Sequence, residues 1–123
     1  MTKDDVIALF EELNWALATL DSATVTAMYA ADAGLLPTVS NQVRHNHAEI
    51  RDYFVKFLRK STQGDIHESN VQILRASHAT NPGVYTFTFG DGSAVTARFS
   101  YLYVATESGW KILQHHSSAM PEG

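Results

Sequence analysis

The chain has 123 residues, 45% hydrophobic and 18% charged, with a formal net charge of −4 and no cysteine. Such a length suits a single domain spanning 1–123 with a real core. The acidic balance and scattered basic residues argue against a nucleic-acid binder, which needs a basic surplus or stripe.

Thr2-Lys3-Asp4-Asp5 reads as a helix start, with a Thr cap and acidic residues at the positive end of the dipole. Val6, Leu9, Phe10, Leu13, Ala16, Leu17 and Leu20 then recur at helical spacing. Asp21-Ser22 interrupts, and Ser22 is placed to cap a short second helix carrying Val25, Met28 and Tyr29. Ala33 to Pro37 is a short extended piece stopped by proline. Asn46, with Glu49 three residues on, signals a third helix whose apolar face is Ile50, Tyr53, Phe54, Phe57 and Leu58.

From Ile66 the period changes to two. Val71 to Arg75, Tyr85 to Phe89, Ala94 to Ala105 and Trp110 to His116 read as a four-strand meander. Its turns fall at Asn81-Pro82-Gly83, Gly90-Asp91-Gly92 and Glu107-Ser108-Gly109. Helices and strands are segregated, so the fold class is α+β. With the last turn centred on Glu107 and Ser108, Phe99, Tyr101, Tyr103, Trp110, Ile112, Gln114 and His116 share one aromatic face. Leu102, Val104, Leu113 and His115 share the other, which is apolar enough to meet a partner.

These elements and their residues resemble the cone-shaped superfamily of nuclear transport factor two, ketosteroid isomerase, scytalone dehydratase and SnoaL-like cyclases. Within it the chain resembles the calcium/calmodulin-dependent protein kinase II association-domain family, and more closely its small bacterial SgcJ/EcaC-type branch. The carrying residues are LLPTVSNQVR (35–44), AEIRDYFVKFL (48–58), Ile66-His67, TARFSYLYV (96–104) and GWKILQHHSSAMPE (109–122). The resemblance implies a curved antiparallel sheet and three N-terminal helices enclosing a pocket. It also implies self-association through the outer sheet face, as a homodimer or a larger ring. Kinase activity and calmodulin regulation do not carry over, since no kinase motif is present. In the kinase hub, two pocket arginines bind small carboxylates. Their positions fall here at Tyr101 and Ser117, which suits a neutral, hydrogen-bonding ligand unless Arg98 or Arg44 substitutes.

The pocket expected from this reading is lined by Trp15, Tyr53, Phe54, Phe99, Tyr101, Gln114 and His116, and the interface by Leu102, Val104, Leu113 and His115. His116 is read either as an acid, base or ligand donor, or as a hydrogen-bonded core histidine. His116 and Tyr101 are the catalytic candidates if a reaction occurs. Adjacent strand residues point to opposite faces, so His115 and His116 do not converge on one ion and no metal site is expected. Ser117 and Ser118 lack a nucleophile elbow. His45, His47, His67 and His78 read as caps, loops or structural hydrogen bonds. No carboxylate sits mid-strand on the aromatic face, which argues against a carboxylate base, with Asp32 left open.

No G-x-G-x-x-G fingerprint appears, and no cofactor is expected. A basic-then-apolar leader is not seen at the start, nor any run approaching the roughly 18 apolar residues of a membrane span. The expectation is therefore a cytoplasmic homo-oligomer with a pocket for an apolar or aromatic metabolite, with no nucleic-acid or membrane partner. The alternatives are a metabolite-tailoring cyclase, isomerase or dehydratase using a pocket histidine, and a pure assembly module.

Overall fold

A capping box starts the first helix. Thr2 accepts the Asp5 N–H at 3.2 Å, and the Asp5 carboxylate accepts the Thr2 N–H at 2.8 Å, which satisfies a first-turn donor and the cap's own. The computed structural model describes residues 2–38 and 40–120. Helix α1 (Lys3–Ala18) buries Val6, Phe10, Leu13, Ala16 and Leu17 along one stripe. Trp15 lies off that stripe and is 71% exposed. Helix α2 (Ser22–Thr26) is capped by Asp21, not Ser22, because the Asp21 carboxylate reaches the Ala23 N–H. Helix α3 (His47–Phe57) is capped by Asn46, buries Ile50 and Phe54, and runs into a 3-10 turn at Leu58–Lys60.

Among the described residues, six strands form one sheet: β1 (Tyr29–Leu36), β2 (Gln63–Ser69), β3 (Gln72–Arg75), β4 (His78–Thr88), β5 (Ala94–Thr106) and β6 (Gly109–Ala119). Their order is β1-β6-β5-β4-β2, with β3 also on β4. The sheet is curved and unclosed, and the α+β cone expected from the sequence is the fold observed. Pairings are antiparallel except that β1 runs parallel to β6. Asn14 of α1 clips the edge strand, since its amide gives to the Gly64 carbonyl (3.0 Å) and takes the Gly64 N–H (2.7 Å).

Two local features depart from expectation. Asn81-Pro82-Gly83 is not a turn; it lies inside β4, and the turn falls at Ala76-Ser77. The Pro82 carbonyl accepts the Asn70 N–H at 3.0 Å. In a ladder a residue's N–H and C=O point to the same side, so the N–H that proline lacks faces the break between β2 and β3. The β5 side of the ladder stays whole, with Pro82 opposite Ser100.

The second departure is a β-bulge. Tyr103 pairs with Ile112 and Leu102 with Gln114, so Leu113 is an extra residue in β6. One extra residue inverts the facing of everything after it. Ile112 is buried, Gln114 exposed, His115 buried, His116 exposed and Ser117 buried. The expected facing of Gln114, His115 and His116 is therefore reversed.

Among the described residues, no helix is long and apolar enough to cross a membrane.

Candidate functional site

Helices α1 and α3 cover the inner face of the sheet incompletely, leaving a cavity of about 340 Å³. Its walls are apolar: Leu13 and Leu17 from α1, Leu35 from β1, Phe54 and Phe57 from α3, Phe87 from β4 and Ala97 from β5. The inward positions of the central strands supply polar groups, namely Tyr85, Tyr101, His115 and Ser117, with Tyr29 from β1. Arg44, Lys56 and Lys60 also line it, and the exposed lysines mark its open side.

His115 is the hub of the polar cluster. It is 6% exposed. Its Nδ1 lies 2.9 Å from the Tyr29 hydroxyl and its Nε2 3.2 Å from the Tyr85 hydroxyl. Tyr85 donates its one proton to Ser117 Oγ at 2.6 Å, so it accepts from His115. That assigns the proton to Nε2 and leaves Nδ1 to accept from Tyr29. Ser117 continues the chain to the Thr38 hydroxyl. His115 also stacks on Tyr101, its cross-strand partner, with ring centres 4.2 Å apart.

Burial pushes the His115 imidazole down to about 3, and the neighbouring His116 adds to the effect. The ring is thus neutral at physiological pH. Burial likewise drives the Tyr29, Tyr85 and Tyr101 phenols above their ordinary range, and lifts Tyr53 to about 12. These groups are neutral hydrogen-bonding partners. A general base works best with a pKa near the operating pH, and His115 lies far below it.

One polar group of the cluster is unsatisfied. The Tyr101 hydroxyl is buried without a hydrogen-bond partner among the described residues, and the residue is 1% exposed. Leaving such a group unpaired costs about 1–3 kcal/mol, so an acceptor that displaced its apolar cover would gain a donor here.

Of the residues expected in the pocket, Tyr53, Phe54 and Tyr101 line this cavity. Phe99 is buried beneath it, 4.6 Å from the Tyr85 ring and 5.2 Å from the Tyr101 ring between centres. Trp15, Gln114 and His116 are corrections. Trp15 sits on the solvent side of α1, and the Leu113 bulge turns Gln114 and His116 outward. His116 instead borders a shallow outer recess with Leu36 and Val43. His115 is also a correction: it is inside, not on the expected interface. Leu102, Val104 and Leu113 are half-buried. Arg98 is exposed and outside the cavity, whereas Arg44 lines it. His47 donates from Nε2 to the Tyr29 carbonyl (2.8 Å) and steadies β1, and Asp32 is exposed. Tyr29 and His115 are the cavity groups that period-two reading missed.

A family model described as the calcium/calmodulin dependent protein kinase II association domain matches residues 2–121. The chain belongs to that family. A solved structure from Xanthomonas campestris, assigned to the same association-domain group, is 45% identical, with a TM-score of 0.93 over 97% of this chain and 88% of that one. An NTF2-like protein from Pseudomonas putida KT2440 is 14% identical at TM-score 0.83, covering 98% of this chain and 87% of that one. An NTF2-like protein with a cystatin-like fold from Novosphingobium aromaticivorans is 10% identical at TM-score 0.79, over 98% and 83%. The latter two share the fold. No curated protein matches the chain. Within this association domain, both positions expected to replace hub arginines, Tyr101 and Ser117, line the cavity.

Proposed function

We propose that this domain binds a small, largely apolar or aromatic molecule in the cavity, with an acceptor group such as a carbonyl directed at Tyr101. The observation that carries this reading is a cavity with largely apolar walls whose lining includes Tyr101, a residue whose hydroxyl is buried without a partner among the described residues. The volume, about 340 Å³, falls within the range of small-molecule sites, as does the pattern of apolar walls with few polar groups. The His115 chain supports the same reading by presenting a fixed, neutral tautomer. An acid–base tailoring enzyme would need a group titrating near neutrality, and His115 is not one.

The test is calorimetric titration with propiophenone and with propylbenzene, its analogue lacking the carbonyl. The ketone binds more tightly to the wild type, by about tenfold for one buried hydrogen bond, and Tyr101→Phe removes that preference. Equal binding of the two compounds to the wild type, or no binding of either, would overturn the reading.

Self-association is a second reading, supported by family membership and by Leu102 and Val104. These alternate with the inward Tyr101 and Tyr103 and so face away from the cavity. In this reading the domain works as a homo-oligomer, each subunit with its own cavity.

A further inference from the structure

We infer that Thr38 and Ser117 form a second polar subsite of the cavity, which hands one proton to a neutral acceptor on the ligand, such as a ketone or ether oxygen. This rests on the pocket reading above and adds a second anchoring group to the occupant. The two residues stand at the accessible end of the hydrogen-bond chain. Tyr29, Tyr85 and His115 are buried. Ser117 borders both the cavity and the outer recess, and Thr38 is half-buried and lines the cavity.

The polarity of the chain decides what that end offers. Four bonds link five groups in series: Tyr29 to His115, His115 to Tyr85, Tyr85 to Ser117 and Ser117 to Thr38. Each group carries one proton, counting the single N–H of a neutral imidazole, and each bond uses one. One proton is therefore left over. Tyr85 gives its own to Ser117 at 2.6 Å, so it can only accept from His115 Nε2, and His115 Nδ1 can only accept from Tyr29. Every bond up to Ser117 thus runs the same way, and the surplus cannot sit at the Tyr29 end. It falls to the Thr38–Ser117 pair, whichever of the two hydroxyls donates to the other. Neither has a further hydrogen-bond partner among the described residues, and no carboxylate is among the described residues lining the cavity. A neutral ligand oxygen is the complement. Were the chain reversed, the same end would present only lone pairs and would select a donor.

The test compares 1-phenylpentane-1,4-dione with valerophenone, in which a methylene replaces the second carbonyl, by calorimetry. Thr38→Val keeps the side-chain shape and deletes the hydroxyl. It weakens the diketone about fivefold, as expected for one neutral hydrogen bond, and leaves valerophenone unchanged. Thr38→Ser keeps the wild-type affinity for the diketone. Should Thr38→Val fail to fold, the tautomer of His115 in the wild type decides, read from nitrogen–proton spectra. A proton on Nε2 is expected, and one on Nδ1 reverses the chain and overturns the inference. Equal loss of both compounds in Thr38→Val, or of neither, also overturns it and leaves the pocket reading standing. If the wild type binds neither compound, both fall.

Discussion

The His115 imidazole lies against the Tyr101 phenol ring, 4.2 Å between centres and 23° from parallel, and the two residues face one another across β5 and β6. This stack puts a neutral, fully hydrogen-bonded ring beside a hydroxyl with no partner among the described residues.

The neutral ring has a pH signature. The His115 pKa falls from 6.5 to about 3 because the charged form is desolvated. As pH drops, the unfolded chain binds this proton first. The stability held above pH 6.5 is therefore lost progressively down to about pH 3, at up to ~1.4 kcal/mol per pH unit for this one group. Two-dimensional nitrogen–proton spectra of the ring should show an unchanging Nε2–H tautomer from pH 8 to about 5. A ring that titrates near 6.5 would remove the buried-neutral assignment.

The same substitution at three tyrosines should separate them into two classes. Tyr101→Phe deletes an unsatisfied buried hydroxyl, and so does Tyr103→Phe; each should leave stability unchanged or raise it by about 1 kcal/mol. Tyr29→Phe deletes the donor to His115 Nδ1 and should cost about 1–3 kcal/mol, because a buried acceptor is left bare. Urea unfolding of the three variants is the check, and equal destabilisation by all three would contradict the assignment.

The outer face should carry self-association. Leu102→Lys and Val104→Lys place charge on half-buried positions turned away from the cavity. Light scattering should report smaller particles than the wild type at equal concentration, with propiophenone binding retained. Wild type that already runs as a monomer at micromolar concentration would end that reading.

Trp15 gives a negative control. It is 71% exposed on α1, so Trp15→Ala should change stability by no more than about 0.5 kcal/mol and leave ligand binding intact. A large loss of either would mean that α1 is rotated from its described position.

Local signals in the sequence read well. Thr2 with Asp5 and Asn46 with Glu49 mark helix starts because capping is a contact between residues three apart. The Glu107-Ser108 hairpin and the inward Tyr101 and Phe54 follow from the same short-range patterning. Long-range pairing is not legible in this way. Nothing local announces that β1 lies parallel to β6, which is what brings Tyr29 to His115. The Asn-Pro-Gly run carries turn chemistry, yet strand pairing on the β5 side overrides it. Alternation alone cannot reveal the Leu113 bulge, and it therefore exchanged His115 with His116. A signal was present all the same. The family resemblance put Ser117 at a pocket position, and adjacent strand residues cannot both face inward, which selects His115 over His116.

The most direct measurement is electron density in the cavity of crystals grown with propiophenone. The carbonyl oxygen should lie within hydrogen-bond reach of the Tyr101 hydroxyl, about 2.7–2.8 Å, with the phenyl ring among Leu13, Leu17 and Phe54. A cavity holding only water, or side chains collapsed to fill it, would contradict the assignment of this chamber as a ligand site.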